Sequence, residues 1–354
     1  MRLFAPACAL AAVLAAPLAA HAQLNINVYG DVGAHLEHGA DTAHTFSAPH
    51  VELLPSGSSG DFSFLAEINF EIGDNNTFVA SAERLEVAWL VDDRLRLRAG
   101  RFHTAIGYYN DAYHHGTYFL LPTDRPLWLD FEDGGGLIPA HSVGVHADGR
   151  FSFGAGALRY DLDLANGRGR RLVEVQNLID DNKTKAFNVR LRFEPAFLSG
   201  LVLGGSAYLD RMAANDEPDL PLPIPEMNER ILGVHAAYIE GKVHLIAEAA
   251  FFNHDETRRS KSYSTQAYLL EVGYEVGAAM PYAVFERVSF GDEVSPYFLT
   301  SPLGLAGSQT LGRAGVKWKV GDNLALKVEA GRQAFDRAGS TATDFARLQA
   351  AFAF

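Results

Sequence analysis

Cysteine and positive charge are both scarce in this sequence. It has one cysteine among 354 residues, and its 30 Lys and Arg are outnumbered by 43 Asp and Glu. One cysteine excludes an intramolecular disulfide framework and a zinc site built from several cysteines. A net charge of −13 disfavours a nucleic-acid-binding protein, because phosphate backbones are bound by basic surfaces. We expect no nucleic-acid partner and no cofactor.

Long apolar runs are also missing beyond residue 23, so the sequence offers no membrane-spanning helix, which needs about 20 apolar residues. The one long apolar run lies at residues 3–20, after a positively charged start and before Ala20-His21-Ala22. This combination predicts a secretory signal peptide over 1–22, with a single domain over 23–354. A membrane anchor is the weaker alternative, because two prolines interrupt the run.

The rest of the chain alternates apolar and polar residues with a period of two, which is typical of strands with one apolar face. Residues 62–72 alternate Phe, Ala and Ile with Ser, Glu and Asn, and residues 94–99 alternate Arg with Leu or Ala. Sixteen such segments follow one another, with boundaries uncertain by about 2–4 residues. The predicted strands are 24–38, 44–54, 61–73, 77–92, 94–102, 141–148, 150–164, 184–195, 199–212, 229–240, 242–254, 263–277, 280–290, 308–320, 323–335 and 343–354.

Two architectures accommodate such strands: a soluble sandwich that buries the apolar faces between two sheets, or a membrane barrel that turns them to lipid. Full charges on the polar faces, strands long enough to cross a bilayer at a tilt, and the order of the connections all favour the barrel. Longer loops follow odd-numbered segments and tight turns follow even-numbered ones, as in outer-membrane barrels. The predicted tight turns are 91–94, 147–150, 240–242, 276–280 and 320–323. We predict an all-β, antiparallel transmembrane barrel of about 16 strands.

The last segment ends on an aromatic residue, Phe354, with Phe352, Ala350 and Leu348 in the same phase. A terminal Phe on an alternating strand resembles the signal that the assembly machinery of the Gram-negative outer membrane reads. We therefore expect an outer-membrane location, with membrane lipid and the barrel-assembly machinery as partners.

Residues 94–119 resemble the phosphate-selective porin O/P group and its wider porin relatives. The residues that carry the resemblance are Arg98, Ala99, Gly100, Arg101, Phe102, Thr104 and Gly107. Residues 159–169 resemble a porin strand entering an Asn-Gly-rich loop, and residues 280–288 resemble a later porin strand. The resemblance implies a sixteen-stranded diffusion channel, commonly a homotrimer, whose third loop folds into the barrel and narrows it.

The third loop, predicted over residues 103–140, is the longest connection and is usually functional at such a length. This loop is acidic, so we do not expect this protein to share the phosphate selectivity of the porin O/P group. Facing a basic wall across a narrow opening, it would create a transverse field that favours small polar solutes. Alternatively, the charges pair with one another along the wall and have no effect on which solutes pass. The predicted constriction residues are Asp111, Asp124, Asp130, Glu132 and Asp133 on the loop and Arg94, Arg96, Arg98, Arg190 and Arg192 on the wall.

Histidines concentrate in the first half of the domain, and His114 and His115 beside Asp111 are the best candidates for metal ligands. Polar pore lining is the ordinary interpretation of such residues. Because histidine titrates near pH 6.5, the hypothesis follows that ion preference shifts between about pH 5 and 8.

The sequence thus favours a passive diffusion channel for small hydrophilic solutes or ions, without catalysis. A barrel with a plugged lumen that acts as a hydrolase or a surface-interaction protein is the alternative. We find no G-x-S-x-G motif that would support the hydrolase.

Overall fold

The computed structural model of the protein describes residues 23–38, 44–72, 77–113, 116–131, 134–174, 178, 180, 182–336 and 340–354. Sixteen strands make up most of this part of the chain: β1 Gln23–His38, β2 His44–Ser59, β3 Phe62–Ile72, β4 Phe78–Asp92, β5 Leu95–His103, β6 His141–Phe153, β7 Gly156–Ala165, β8 Ala186–Pro195, β9 Leu201–Met212, β10 Met227–Glu240, β11 Val243–Glu256, β12 Ser262–Tyr274, β13 Ala279–Phe290, β14 Gln309–Val320, β15 Leu324–Phe335 and β16 Thr343–Ala353. The short helices are Tyr109–Ala112, Leu127–Leu129, Phe298–Thr300 and Pro302–Ala306. Within the described ranges, no helix is long and apolar enough to span a membrane.

Every strand pairs antiparallel with its neighbours in the chain, and β1 pairs with β16 to close the barrel. At this closure the main-chain N–H groups of Val28 and Phe354 each donate to the other residue's carbonyl, both at 2.8 Å. Closure leaves no unpaired sheet edge, which a membrane-spanning sheet requires. The predicted antiparallel barrel of about 16 strands is confirmed.

The apolar faces of the strands point out of the barrel. On β4, Leu85 and Val87 are 62% and 58% exposed, whereas Glu86 between them is 8% exposed. Their apolar side chains face the lipid, while the intervening polar side chains enter the lumen. The period-two pattern of the sequence is therefore the pattern of a membrane barrel rather than of a sandwich, whose apolar faces would be buried.

The two ends of the barrel differ in their connections. The connections after β2, β4 and β6 are residues 60–61, 93–94 and 154–155, and we call this the short-turn end. Longer connections at the opposite, long-loop end include 104–140, 166–185, 213–226 and 291–308. The predicted parity of loops and turns is thus present.

One predicted turn is wrong. Residues 147–150 were expected to form the turn between the sixth and seventh strands, but β6 runs through them and turns only at 154–155. This position in the strand requires a glycine because the main chain of Arg94 approaches it closely. A Cβ at Gly149 would be 1.9 Å from the carbonyl oxygen of Arg94. The Asp-Gly pair, a common turn signal, serves close packing here. The second strand also continues past its predicted end at residue 54 to Ser59.

Apolar contacts fill one side of the barrel interior. Loop residues Trp128, Leu129 and Leu137 pack in one cluster with wall residues that include Ile231 on β10 and Phe252 on β11. Phe298 and Leu303, from the connection between β13 and β14, join the same cluster. This packed core occupies the side of the lumen next to β8–β13 and restricts open space to the other side.

Candidate functional site

The third loop spans residues 104–140 between β5 and β6, and it hydrogen-bonds to strands far around the barrel. Its main-chain N–H groups donate to Glu248 on β11 and Glu286 on β13, and its carbonyls accept from Lys327 on β15. A connection from β5 can reach all these strands of a closed barrel only through the interior. The loop therefore crosses the lumen.

Buried wall charges hold the loop in place. The Glu248 carboxylate accepts hydrogen bonds from the N–H groups of Tyr108 at 3.1 Å and Tyr109 at 2.5 Å. The Lys327 ammonium donates to the carbonyls of Thr117 at 2.5 Å and Pro122 at 2.8 Å. Hydrogen bonds to charged groups are roughly twice as strong as those between neutral groups. These contacts fix the loop against the β11–β15 wall.

Glu286 forms a second buried attachment. Its carboxylate accepts from the N–H of Leu127 at 2.5 Å and is 2.9 Å from the Arg313 guanidinium on β14. Both side chains of this ion pair are almost completely buried. Removing one partner of a buried ion pair leaves an uncompensated charge, so this attachment depends on both Glu286 and Arg313.

Asp111, a predicted constriction residue, meets two of the predicted wall arginines. Its carboxylate lies 2.8 Å from Arg190 and 3.5 Å from Arg192, both on β8. Burial alone would raise the pKa of Asp111, but the two guanidiniums outweigh it and hold that pKa well below its usual range. Asp161 on β7 lies 2.9 Å from Arg190 and 3.1 Å from Arg192, so two carboxylates and two guanidiniums form one paired cluster.

The other predicted wall arginines have different partners. Arg96 forms hydrogen bonds to Asp148 on β6 at 2.8 and 3.0 Å, and Arg98 pairs with Glu86 on β4 at 3.2 Å. Arg94 is exposed in the turn between β4 and β5. Charges of this wall therefore pair largely with one another, at the half of the barrel nearer the short-turn end.

The remaining predicted acidic residues lie along the third loop. Asp124 forms an ion pair with Arg347 on β16. Asp130 accepts a hydrogen bond from the N–H of Phe131 at 2.9 Å. The predicted constriction residues Glu132 and Asp133 and the metal candidates His114 and His115 lie outside the described residues.

A polar cavity of about 270 Å³ lies between the third loop and the wall formed by β1–β4 and β16. The wall contributes Asp31, Asn69, Glu71 and Gln349, and the loop contributes Thr123, Asp124 and Asp130. Cavities of about 310 and 430 Å³ follow on the same side of the barrel, and Arg96 lines both. Further polar space thus lies beside β1–β8 towards the short-turn end.

Several of these residues were missed from the sequence. Asp31, Asn69 and Glu71 occupy the inward phase of their strands. The sequence could therefore predict that they face the lumen, but it could not predict that they lie opposite the third loop. The anchoring carboxylates Glu248 and Glu286 likewise resemble ordinary lumen residues in the sequence. Only the path of the loop gives them their partners.

Histidines on the wall pair with carboxylates. His244 lies 2.7 Å from Glu271 and His254 lies 2.9 Å from Glu229. Across the described part of the chain, no group of three or more His, Cys, Asp or Glu side chains is placed to hold a metal ion. His244 and His254 therefore belong to the polar lining of the wall.

Residues 9–350 match a family model described as Gram-negative porin. The chain belongs to that family. Its sixteen-stranded closed barrel, apolar outer face and polar lumen are those of a porin, an outer-membrane channel for passive diffusion. No curated protein matches the sequence.

Solved structures of outer-membrane proteins share the fold at low sequence identity. An anion-selective porin from Comamonas acidovorans is 11% identical with a TM-score of 0.63, covering 94% of this chain and 100% of that one. The outer-membrane channel DcaP of Acinetobacter baumannii is 9% identical with a TM-score of 0.61, covering 94% and 97%. The trimer form of OmpT, an outer-membrane protein of Vibrio cholerae, is 11% identical with a TM-score of 0.60, covering 94% and 99%.

Proposed function

We propose that small hydrophilic solutes and ions cross this porin through a charged constriction between the third loop and the wall of β1–β4 and β16. The observation that carries the proposal is the attachment of the loop to the opposite wall through Glu248, Glu286 and Lys327. The apolar core behind the loop closes that side to water, and the polar cavities remain on the other. The proposal gives the chain no catalytic role.

Within the proposed constriction, acidic side chains contribute more charge than the predicted basic ones. Asp124 and Asp130 line the cavity from the loop, and Asp31 and Glu71 face them from the wall. The predicted residues Glu132 and Asp133 continue the same acidic stretch of sequence. Because the carboxylates of Asp111 and Asp161 both pair with Arg190 and Arg192, this cluster contributes little net charge to the opening. We therefore propose that the channel prefers cations to anions.

Two partners are proposed on separate grounds. The trimer form of the Vibrio cholerae protein supports a homotrimer, which chemical cross-linking of the detergent-solubilised protein would test. The C-terminal strand β16, ending beside Phe354, is proposed as the segment that the barrel-assembly machinery binds. Deleting Phe354 would then lower the amount of assembled barrel, whereas Phe197→Ala, which alters an exposed phenylalanine in a short turn, would not.

The direct test is single-channel recording of the refolded protein in a planar bilayer with a potassium chloride gradient. Discrete current steps with a reversal potential displaced towards that of potassium are expected. A correctly assembled barrel without conductance would contradict the diffusion channel, and a reversal potential near that of chloride would contradict the cation preference.

A further inference from the structure

Two arginines interrupt the apolar outer wall of the barrel at the long-loop end of β9 and β10. Arg211 on β9 and Arg230 on β10 occupy the outward phase of their strands, and their side chains are 46% and 57% exposed. The next outward residues towards the short-turn end, Leu209 and Leu232, are apolar and exposed. The two arginines therefore lie where the outer wall passes from the membrane to water.

The strand register places these arginines side by side. Arg211 pairs with Asn228, and Leu209 pairs with Arg230, so the two arginines are diagonal neighbours on one face of the sheet. Diagonal positions on paired strands are about 7–8 Å apart, which is within reach of long side chains. Both guanidiniums can therefore contact the same ligand.

A cavity of about 320 Å³ adjoins Arg211 and brings in a third cation. Lys183, in the connection between β7 and β8, lines this cavity together with Thr184, Arg211 and Glu226. The side chain of Asn182 keeps the connection beside the strand, because its Nδ2 donates to the carbonyl of Arg211 at 2.6 Å. We call Lys183, Arg211 and Arg230 the cationic patch.

Two carboxylates pair with the cationic patch but use only part of its donors. Glu226 pairs with Arg211, and Asp255 pairs with Arg230. Arg230 contacts both Asp255 and Asn253 through one nitrogen, Nη2, although a guanidinium has five N–H donors. The remaining donors, with the exposed ammonium of Lys183, suit an anion that has several acceptor oxygens, such as phosphate.

The surface below the patch is apolar and belongs to the lipid-facing wall. Gly205 and Ala207 on β9 leave a shallow depression, because Leu191 on β8 and Val234 on β10 stand on either side of Gly205. Leu191 and Val234 are both exposed. A small soluble anion makes no contact with this surface, whereas the acyl chain of a lipid whose headgroup is at the patch lies on it.

We propose that the cationic patch binds the phosphate of an anionic lipid in the outer leaflet, with an acyl chain on the apolar wall below. The long loops mark the extracellular end of an outer-membrane barrel, so the outer leaflet supplies the ligand. Clusters of Lys and Arg at a membrane surface bind anionic headgroups. The site lies outside the lumen and is independent of the conduction path.

The experiment is native mass spectrometry of the refolded barrel in detergent micelles, which counts the lipids that stay bound. The probes are phosphatidylglycerol, which is anionic, and phosphatidylcholine, whose choline cation the patch repels. We expect a phosphatidylglycerol to be retained at concentrations about fivefold below those needed for phosphatidylcholine. Glycerol 3-phosphate, which has the phosphate but no acyl chain, should not displace the lipid at an equal concentration.

Three variants locate the lipid. Lys183→Gln and Arg211→Gln each remove one positive charge and should raise the phosphatidylglycerol concentration needed about fivefold. Glu226→Gln removes the carboxylate that competes for Arg211 and should lower that concentration by about the same factor. The matched control is Arg332→Gln, which removes an exposed outward charge from β15 and should leave retention unchanged. Because Lys183 and Arg211 lie in different segments, a folding defect in one variant does not affect the other.

Each contrary outcome overturns the lipid site. Equal retention of the two lipids, or phosphatidylglycerol retention that survives both Lys183→Gln and Arg211→Gln, shows that the patch does not select an anionic headgroup. Displacement by an equal concentration of glycerol 3-phosphate favours a soluble anion as the ligand. Variants that lower the amount of trimer and leave lipid retention unchanged favour a contact between subunits. None of these results affects the diffusion channel, which single-channel recording tests.

Discussion

The carboxylate of Glu248 on β11 accepts the main-chain N–H of Tyr109 in the third loop at 2.5 Å. The same carboxylate accepts the N–H of Tyr108, and both Glu248 and Tyr109 are buried. One wall carboxylate therefore satisfies two loop N–H groups that have turned away from water. This contact positions the loop across the lumen, so it also determines where open space remains.

Replacing Glu248 by alanine should release this part of the loop. Two buried N–H groups would lose their acceptor, which should lower the free energy of unfolding by about 2–4 kcal/mol. Fluctuations of the open-channel current should increase because the loop gains freedom. Urea unfolding in lipid vesicles and current noise analysis measure the two effects. The control Glu275→Ala, beyond the short-turn end of β12, should change neither.

Gly107 precedes this contact and cannot carry a side chain. Its φ of +68° is unfavourable for other residues, and a Cβ there would lie 2.1 Å from Glu248 Oε2. Gly321 has a similar φ of +72° but nothing within 4 Å of its Cβ position. Gly321→Ala should therefore cost about 1–2 kcal/mol from the backbone alone, and Gly107→Ala distinctly more. Equal decreases in the free energy of unfolding of the two variants, measured with urea, would show that the Glu248 side chain does not restrict the space at Gly107.

The ion pair between Asp124 and Arg347 borders the proposed constriction, so its two members should change selectivity in opposite directions. Asp124→Asn should lower the ratio of cation to anion permeability, and Arg347→Gln should raise it. A unit charge about 4 Å from a passing ion in water contributes about 1 kcal/mol, or about a fivefold change in the ratio. Reversal potentials in a salt gradient measure this.

The control for these variants is Arg332→Gln, which removes a positive charge that is paired with Asp344 and exposed on the barrel. It should leave the reversal potential unchanged. A shift as large as that of Arg347→Gln would mean that selectivity follows the overall charge of the protein rather than the lining of the cavity.

The outward face of β12 allows a test of the lipid boundary. Leu270 lies on that face between Tyr268 and Tyr274, and Ser264 lies on the same face nearer the long-loop end. Leu270→Arg should destabilise the folded barrel by about 2–4 kcal/mol, and Ser264→Arg by about 0–1 kcal/mol, because the cost of charge depends on depth in the bilayer. Folding titrations in vesicles compare them. Equal costs would contradict this placement of the membrane.

The sequence predicted the barrel because its signal is local. Alternation on β4 or β5 needs only neighbouring residues, and charges such as Arg96 and Arg98 on the polar face favour a barrel over a sandwich. The turn at 147–150 was predicted wrongly because Gly149 is required by a distant contact, the carbonyl of Arg94. A glycine needed for close approach and a glycine needed for a turn are identical in a sequence.

The candidate site could be predicted only as a set of charges. Asp111 and Arg190 were both expected to be charged lining, but they are 79 positions apart, and only the path of the loop brings them together. Asn69 was not singled out, because one polar residue in an inward phase resembles many others. Its significance depends on which wall the loop leaves uncovered, and that follows from Glu248 and Lys327.

The central claim is that the open path runs beside Glu71 on β3 and not through the packed side next to β12. The one cysteine, Cys8, lies in the predicted signal peptide. Glu71→Cys and Thr265→Cys therefore each place a single thiol on one side of the lumen, since Thr265 is buried on the inward face of β12. A cationic methanethiosulfonate reagent is then added during single-channel recording. The account predicts a stepwise loss of current for Glu71→Cys and none for Thr265→Cys. Loss of current at Thr265→Cys with no change at Glu71→Cys would contradict it.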